Sequence, residues 1–188
     1  MRKLATLLVL ACLPLLHGCV AALVGGAAAG GYMVGEERRQ SAVLADDEAI
    51  ELRIRNRVSE AHPNAHVSPV SYNRMVLLNG TAPTDADKAD IERIARGVER
   101  VRGVYNDMRV APNRNFPSLA SDGVLTTKVK ARMVDARRFN PLHVKVVSDA
   151  GTVYLLGIVT RKEADAASEI ARTTSGVQRV VRMFEYRD

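Results

Sequence analysis

From residue 47 onward the apolar positions switch between a helical and a strand-like period, and the whole sequence of switches occurs twice. Ile50, Ile54, Val58 and Ala61 recur at helical spacing and predict an amphipathic helix over 47–61. Two strand-like runs follow at 65–70 and 75–81. Ile91, Ile94, Ala95 and Val98 mark a second helix, and Val101, Val104, Met108 and Val110 a third strand. With offsets of 75 to 77 residues the first stripe reappears as Leu125, Val129, Met133 and Ala136. The strands reappear at 143–148 and 152–159, the second helix as Ala167, Ile170, Ala171 and Thr174, and the last strand as Val177, Val180, Phe184 and Tyr186. A drift of two residues over a complete unit identifies an internal repeat.

Turn and cap residues agree with this division. Asp149-Ala150-Gly151 predicts a tight hairpin with Gly151 at positive φ, and Tyr72-Asn73-Arg74 is its weaker counterpart, with Asn73 as the left-handed residue. Asp47 and Asp122 read as N-caps or first-turn acids of the two leading helices. Thr84 with Asp87, and Thr160 with Glu163, read as capping boxes, the second with the preferred Glu. Gly80 and Gly157 are expected to close the second strands, and Pro69 places the first strand on a sheet edge. The fold class is therefore α+β: two tandem αββαβ units, each a small three-stranded mixed sheet with two helices on one face. The other face must meet solvent, a partner or the sister unit. A unit this small has a core that supplies only about 3–5 kcal/mol, which favours packing of the two units on each other.

The first residues carry a different signal. Arg2 and Lys3 precede an apolar run from Leu4 to Leu16, which is too short for a spanning helix. It ends Leu16-His17-Gly18-Cys19, the pattern of a lipobox with an unusual His before the small residue. Val9-Leu10-Ala11-Cys12 fits the same pattern but leaves a very short apolar core. Cys19 is thus the expected lipidation site, bearing diacylglycerol and an N-acyl chain, and no other cofactor is expected. Two or three acyl chains anchor firmly where one is marginal. Val20, rather than an acid, follows the cysteine and directs the chain to the outer membrane. The alternative is an uncleaved anchor extended by Val20 to Gly35, with its Gly-x-x-x-Gly spacings. The division is 1–18 signal peptide, 19–45 lipidated cysteine and flexible tether, 46–111 first domain, 112–120 linker and 121–188 second domain. Glu36 to Gln40 are expected to be solvated, and Pro112 and Pro117 to block regular structure in the linker.

Charge distinguishes the two halves. The chain of 188 residues has 27 basic and 21 acidic side chains, and only two cysteines, too few for a disulfide framework. Residues 46–111 carry 10 basic and 11 acidic groups, whereas 121–188 carry 12 and 8. Lys128, Lys130, Arg132, Arg137 and Arg138 cluster on or beside the first helix of the second unit. A helical wheel turns Val124 and Ala131 outward beside Lys128. Cations around a small apolar tip suit an interfacial helix; the plainer alternative is an ordinary solvated helix face.

Val76-Leu77-Leu78-Asn79-Gly80, Val153-Tyr154-Leu155-Leu156-Gly157, the alanine-rich second helices and Gly176-Val177-Gln178-Arg179-Val180 resemble the BON domain. Gly18-Cys19-Val20, Val104-Tyr105-Asn106-Asp107 and Leu125-Thr126-Thr127-Lys128-Val129 extend the resemblance to the dual-BON outer-membrane lipoproteins, over essentially the whole chain. The resemblance implies a protein that is not an enzyme, is held on the outer membrane facing the periplasm, gathers at division sites and supports envelope integrity. It implies further that the second domain binds an anionic phospholipid membrane, phosphatidylglycerol or cardiolipin, through its first helix, here 122–138. That role falls on Val124, Leu125, Thr127, Lys128, Ala131, Arg132, Asp135 and Arg138. The family places an aromatic where Val124 stands, so insertion here rests more on charge.

Other chemistry is thin. His62 and His66 are separated by Pro63 and read as loop and strand residues, and His143 as opening a strand. Asp85, Asp87 and Asp90 read as helix-start acids, without the spacing or glycine of an EF-hand. Tyr105, Tyr154 and Tyr186 read as core or sheet-edge residues. No phosphate loop, nucleophile elbow or H-E-x-x-H motif occurs. The secretory signal, and basic residues without interleaved aromatics, argue against nucleic acid as a partner. An envelope protein docking on exposed Leu52 or on an open sheet face is the competing expectation.

Overall fold

The computed structural model describes residues 37–111 and 117–188, with 117–120 as backbone alone. The signal peptide, Cys19 and most of the tether lie outside the described residues. Arg38–Asp188 forms one compact unit containing both repeats.

In the first repeat α1 (Ser41–Ala61) leads to β1 (His66–Tyr72), β2 (Met75–Ala82), α2 (Asp85–Arg96), β3 (Gly103–Asn106) and β4 (Arg109–Val110). The second has α3 (Pro117–Ala136), a 3-10 turn at Pro141–His143, β5 (Lys145–Asp149), β6 (Thr152–Val159), α4 (Arg161–Arg172) and β7 (Arg179–Tyr186). In each, a hairpin pairs antiparallel and the last strand returns parallel to the central one. The α+β class and the tandem αββαβ order therefore stand. The third strand of the first repeat differs from expectation by being split into β3 and β4, both on β2. The physical reason is local: Asn106 Oδ1 accepts the Met108 N–H at 3.2 Å and interrupts the ladder.

Both leading helices begin earlier than expected. α1 adds a turn and a half because Val43 continues the buried stripe of Ile50, Ile54 and Val58. Pro117 does not block structure; it occupies the first position of α3, where a missing N–H costs nothing. α3 ends at Ala136, and Arg137 then adopts a positive φ of 49°, so Arg137 and Arg138 lie beyond the helix. The stripes also stop one position short, since Ala61 and Ala136 are exposed.

Asp47 is not an N-cap. It lies inside α1, buried, and accepts from Ser71 Oγ (2.6 Å), Asn73 N (2.9 Å), Arg74 N (2.7 Å) and Arg39 Nη1 (2.9 Å). A helix carboxylate thus holds the β1–β2 turn, where Asn73 and Arg74 have φ of 51° and 64°. Ala150 and Gly151 repeat this two-residue positive-φ turn. The glycines expected to close strands sit inside them instead. A Cβ on Gly80 would lie 2.0 Å from His66 O, and one on Gly157 2.3 Å from His143 O. Each is a crossing point where backbone replaces side chain. His143 belongs to the 3-10 turn capped by Asn140, so β5 starts two residues later than expected.

Three cores result. One packs α1 and α2 on the first sheet around Ile54, Leu78 and Ile91, and one packs α3 and α4 on the second around Val129, Met133 and Leu155. The third joins the faces the helices leave bare, with Tyr72 and Leu77 from the first sheet against Tyr154 and Leu156 from the second. Polar bonds cross the same interface. Tyr154 OH donates to Asp107 Oδ2 at 2.7 Å, and Arg179 also donates to Asp107. Asn73 Nδ2 and Arg102 Nη1 each donate to Glu185 Oε1 at 2.9 Å. Burial and the Asp107 carboxylate push the Tyr154 hydroxyl well above its ordinary pKa. Of the other tyrosines, Tyr105 and Tyr186 stay exposed, with Arg161 over the Tyr186 ring.

The cations expected to be solvated are engaged. Arg39 stacks 4.1 Å over the Tyr72 ring. Arg38 grips both oxygens of Glu163, at 2.7 and 2.8 Å, and donates to Ile158 O at 2.7 Å, tying the segment before α1 to the second repeat. Glu163 also completes the capping box with Thr160. The Arg38 guanidinium, with bonds from Thr160, lowers the Glu163 carboxyl from 4.5 to about 2. A depressed carboxyl stabilises the fold fully above its unfolded pKa and less as pH falls through the folded value. In Glu163→Gln we expect a loss of about 1–2 kcal/mol near neutrality. Urea midpoints of the two proteins should converge between pH 4.5 and 2; a constant difference down to pH 2 would contradict this.

His62 also departs from the ordinary loop residue expected. Its Nδ1 lies 3.0 Å from Asp87 and its Nε2 2.9 Å from Asp90, clasping α1 to α2. Carboxylates only accept, so satisfying both contacts requires both ring N–H groups. Asp87 and Asp90 are both held below the usual carboxylate range, the first chiefly by Thr84 and the second chiefly by His62. Asp87 also keeps its expected place in the first turn of α2, beside Asp85.

Candidate functional site

The outer face of α3 is built by the same stripe that fixes its inner one. Leu125, Val129 and Met133 are buried against the second sheet, which turns Val124, Thr127, Lys128 and Ala131 to the outside. Val124 is 55% exposed, a large fraction for an apolar side chain on a well-packed helix. Thr127 Oγ1 donates to Gly123 O at 2.9 Å. Lys128 and Lys130 are exposed, and neither has a carboxylate partner among the described residues.

The eight residues singled out on this helix do not form one group. Val124, Thr127, Lys128, Ala131 and Asp135 are all exposed on α3. Leu125 is a core residue, 7% exposed. Arg132 Nη1 donates to Thr174 Oγ1 at 2.9 Å and to Ile170 O at 3.2 Å, so its head is fastened to the C-terminal end of α4. Arg138 lies past the end of the helix. Val134, also 55% exposed, was not among them although it extends the apolar strip three residues beyond Ala131. A wheel drawn around Val124 and Ala131 would have included it, since it lies outside the Leu125-Val129-Met133 stripe.

The internal repeat supplies a control. At an offset of 75, Arg53, Arg55 and Arg57 of α1 match Lys128, Lys130 and Arg132. Arg57 Nη1 even repeats the fastening, to Gly97 O at 3.3 Å. These cations are therefore common to both helices. What separates them is the acids: α1 carries Asp46, Asp47, Glu48, Glu51 and Glu60, whereas α3 carries only Asp122 and Asp135. α1 is net acidic and α3 net basic, so of the two only α3 has the charge sign that complements an anionic surface.

No helix among the described residues is long and apolar enough to cross a membrane. Among the same residues, no group of three or more His, Cys, Asp or Glu side chains is placed to hold a metal.

Two αββαβ units with hairpin-plus-return sheets define the class, and the chain belongs to the BON domain family, whose pattern matches residues 46–112 and 121–188. Over its full length it is 39% identical to the outer membrane lipoprotein DolP of Haemophilus influenzae, covering 97% of that protein. It is 31% identical to the 21 kDa hemolysin of Actinobacillus pleuropneumoniae, over 79% of this chain and 78% of the relative. It is 28% identical to osmotically-inducible protein Y of Escherichia coli, over 72% of this chain and 70% of the relative.

Proposed function

We propose that this protein is an outer-membrane lipoprotein, held by acyl chains on Cys19 and facing the periplasm, whose second BON domain lays the outer face of α3 on anionic phospholipid. Its role is binding rather than catalysis, in support of envelope integrity at division sites. The name of the Haemophilus relative supports the location. The observation that carries the lipid reading is an exposed apolar strip, Val124, Ala131 and Val134, flanked by Lys128 and Lys130 without carboxylate partners among the described residues. Each cation near an anionic surface contributes about 1 kcal/mol, and the valines add burial at the acyl boundary.

The test is flotation of the mature chain carrying Cys19→Ser with vesicles. Binding to phosphatidylglycerol or cardiolipin vesicles, weakening with salt, is expected, and zwitterionic vesicles should bind little. Equal binding to both kinds would remove the proposal. A second reading rests on Leu52, which is 54% exposed on the acidic α1. There an envelope protein with a basic, apolar-centred surface would dock, and crosslinking in cells from position 52 would capture it.

A further inference from the structure

Beside Val124 and Lys128 the second domain opens a cleft of about 600 Å³, between the first turns of α3, the β5–β6 turn and the α4–β7 loop. Its remaining polar side chains are Ser121, Asp122, Ser175 and Gln178. The first domain closes the matching place. There Arg74 Nε donates to Asp46 Oδ2 at 2.9 Å and Arg100 donates to the other oxygen, so three charged side chains bond across the space. At offsets of 75 to 77 those positions are Ser121, Gly151 and Gly176. The backbone is conserved in shape while the side chains are lost: Arg74 and Arg100 have φ of 64° and 70°, Gly151 and Gly176 of 76° and 98°. The cleft thus comes from three small residues standing where the sister domain has an ion-paired plug.

We propose that this cleft seats the headgroup of a single phospholipid, a monoanionic phosphodiester bearing hydroxyl groups, as in phosphoglycerol. The proposal rests on the reading of α3 as the membrane face, because a lipid whose chains lie beneath Val124 has its headgroup at the level of the cleft. Among the described residues Lys128 is the one cation lining it, which matches one phosphate. Ser121, Ser175 and the Gln178 amide are neutral donors and acceptors, suited to hydroxyls rather than to further charge.

The test compares the mature Cys19→Ser chain on phosphatidylglycerol and phosphatidylserine vesicles adjusted to equal zeta potential. Charge alone predicts equal binding. The cleft predicts about fivefold tighter binding to phosphatidylglycerol, the effect of one net hydrogen bond. Ser175→Ala with Gln178→Ala, both at exposed positions, should erase that preference and leave phosphatidylserine binding intact. Ser121→Asp with Gly151→Arg and Gly176→Arg rebuilds the plug of the first domain. It should also erase the preference although it adds positive charge, and a melting curve checks that the domain still folds. Equal binding by the unaltered chain, or a preference that survives the double substitution, overturns the cleft. Failure to bind either vesicle overturns the membrane reading of α3 as well.

Discussion

Reversing Lys128 and Lys130 to Glu is expected to weaken binding to phosphatidylglycerol vesicles by about a thousandfold at low salt. Each cation is worth about 1 kcal/mol near an anionic surface, and reversal about doubles the change, giving about 4 kcal/mol for the pair. The fold tolerates the change because both side chains are exposed and neither has a carboxylate partner among the described residues. Added salt should shrink the difference, since the screening length is only about 10 Å at 0.1 M. Arg132→Glu serves as the contrast: it breaks the bonds to Ile170 and Thr174 and should lower the melting temperature as well. Vesicle titrations in which the double reversal bound as the parent does would show that α3 is only a solvated helix.

The second large effect is expected at the seam between the sheets. Tyr154 is 1% exposed, and its hydroxyl reaches Asp107 in the other domain. Tyr154→Ala removes the ring from the shared core and should cost about 3–5 kcal/mol. For a chain of this size that corresponds to a fall of about 6–20 °C in melting temperature. Tyr154→Phe keeps the ring and should cost only about 1 kcal/mol, because Arg179 still pairs with Asp107. Calorimetry should show the single transition of the parent broadening or splitting in the alanine variant as the domains lose their common core. A fall smaller than that of the phenylalanine variant would mean that the seam contributes little.

These two sites were legible in the sequence to different degrees. The outward position of Val124, Lys128 and Ala131 follows from the spacing of Leu125, Val129 and Met133, which a wheel reads directly. The same wheel could not show that Arg132 is fastened to α4, because its partners stand 38 and 42 residues away. Helix ends run past the local pattern where tertiary burial extends it: Val43 is buried and lengthens α1, although Gln40 at its N-cap makes no side-chain capping bond. An acid at a helix start is a common local signal, which makes Asp47 read as a cap in the sequence. It proved to hold a turn 26 residues later.

What the chain determines by itself is local and periodic. Two units with one order of elements, the Thr160-Glu163 capping box, the positive φ of Gly151 and the cationic excess of 121–188 all follow from neighbours a few residues apart. Only the folded molecule decides how the bare sheet faces are used. The seam of Tyr72, Leu77, Tyr154 and Leu156, the Arg38 grip on Glu163 and the cleft beside Val124 join residues far apart in the chain. The unbroken apolar runs Val76-Leu77-Leu78 and Val153-Tyr154-Leu155-Leu156 say that both faces of a central strand are apolar, but the same pattern suits a sister sheet or a foreign partner equally. The choice between them is made by which surfaces meet when the two domains pack.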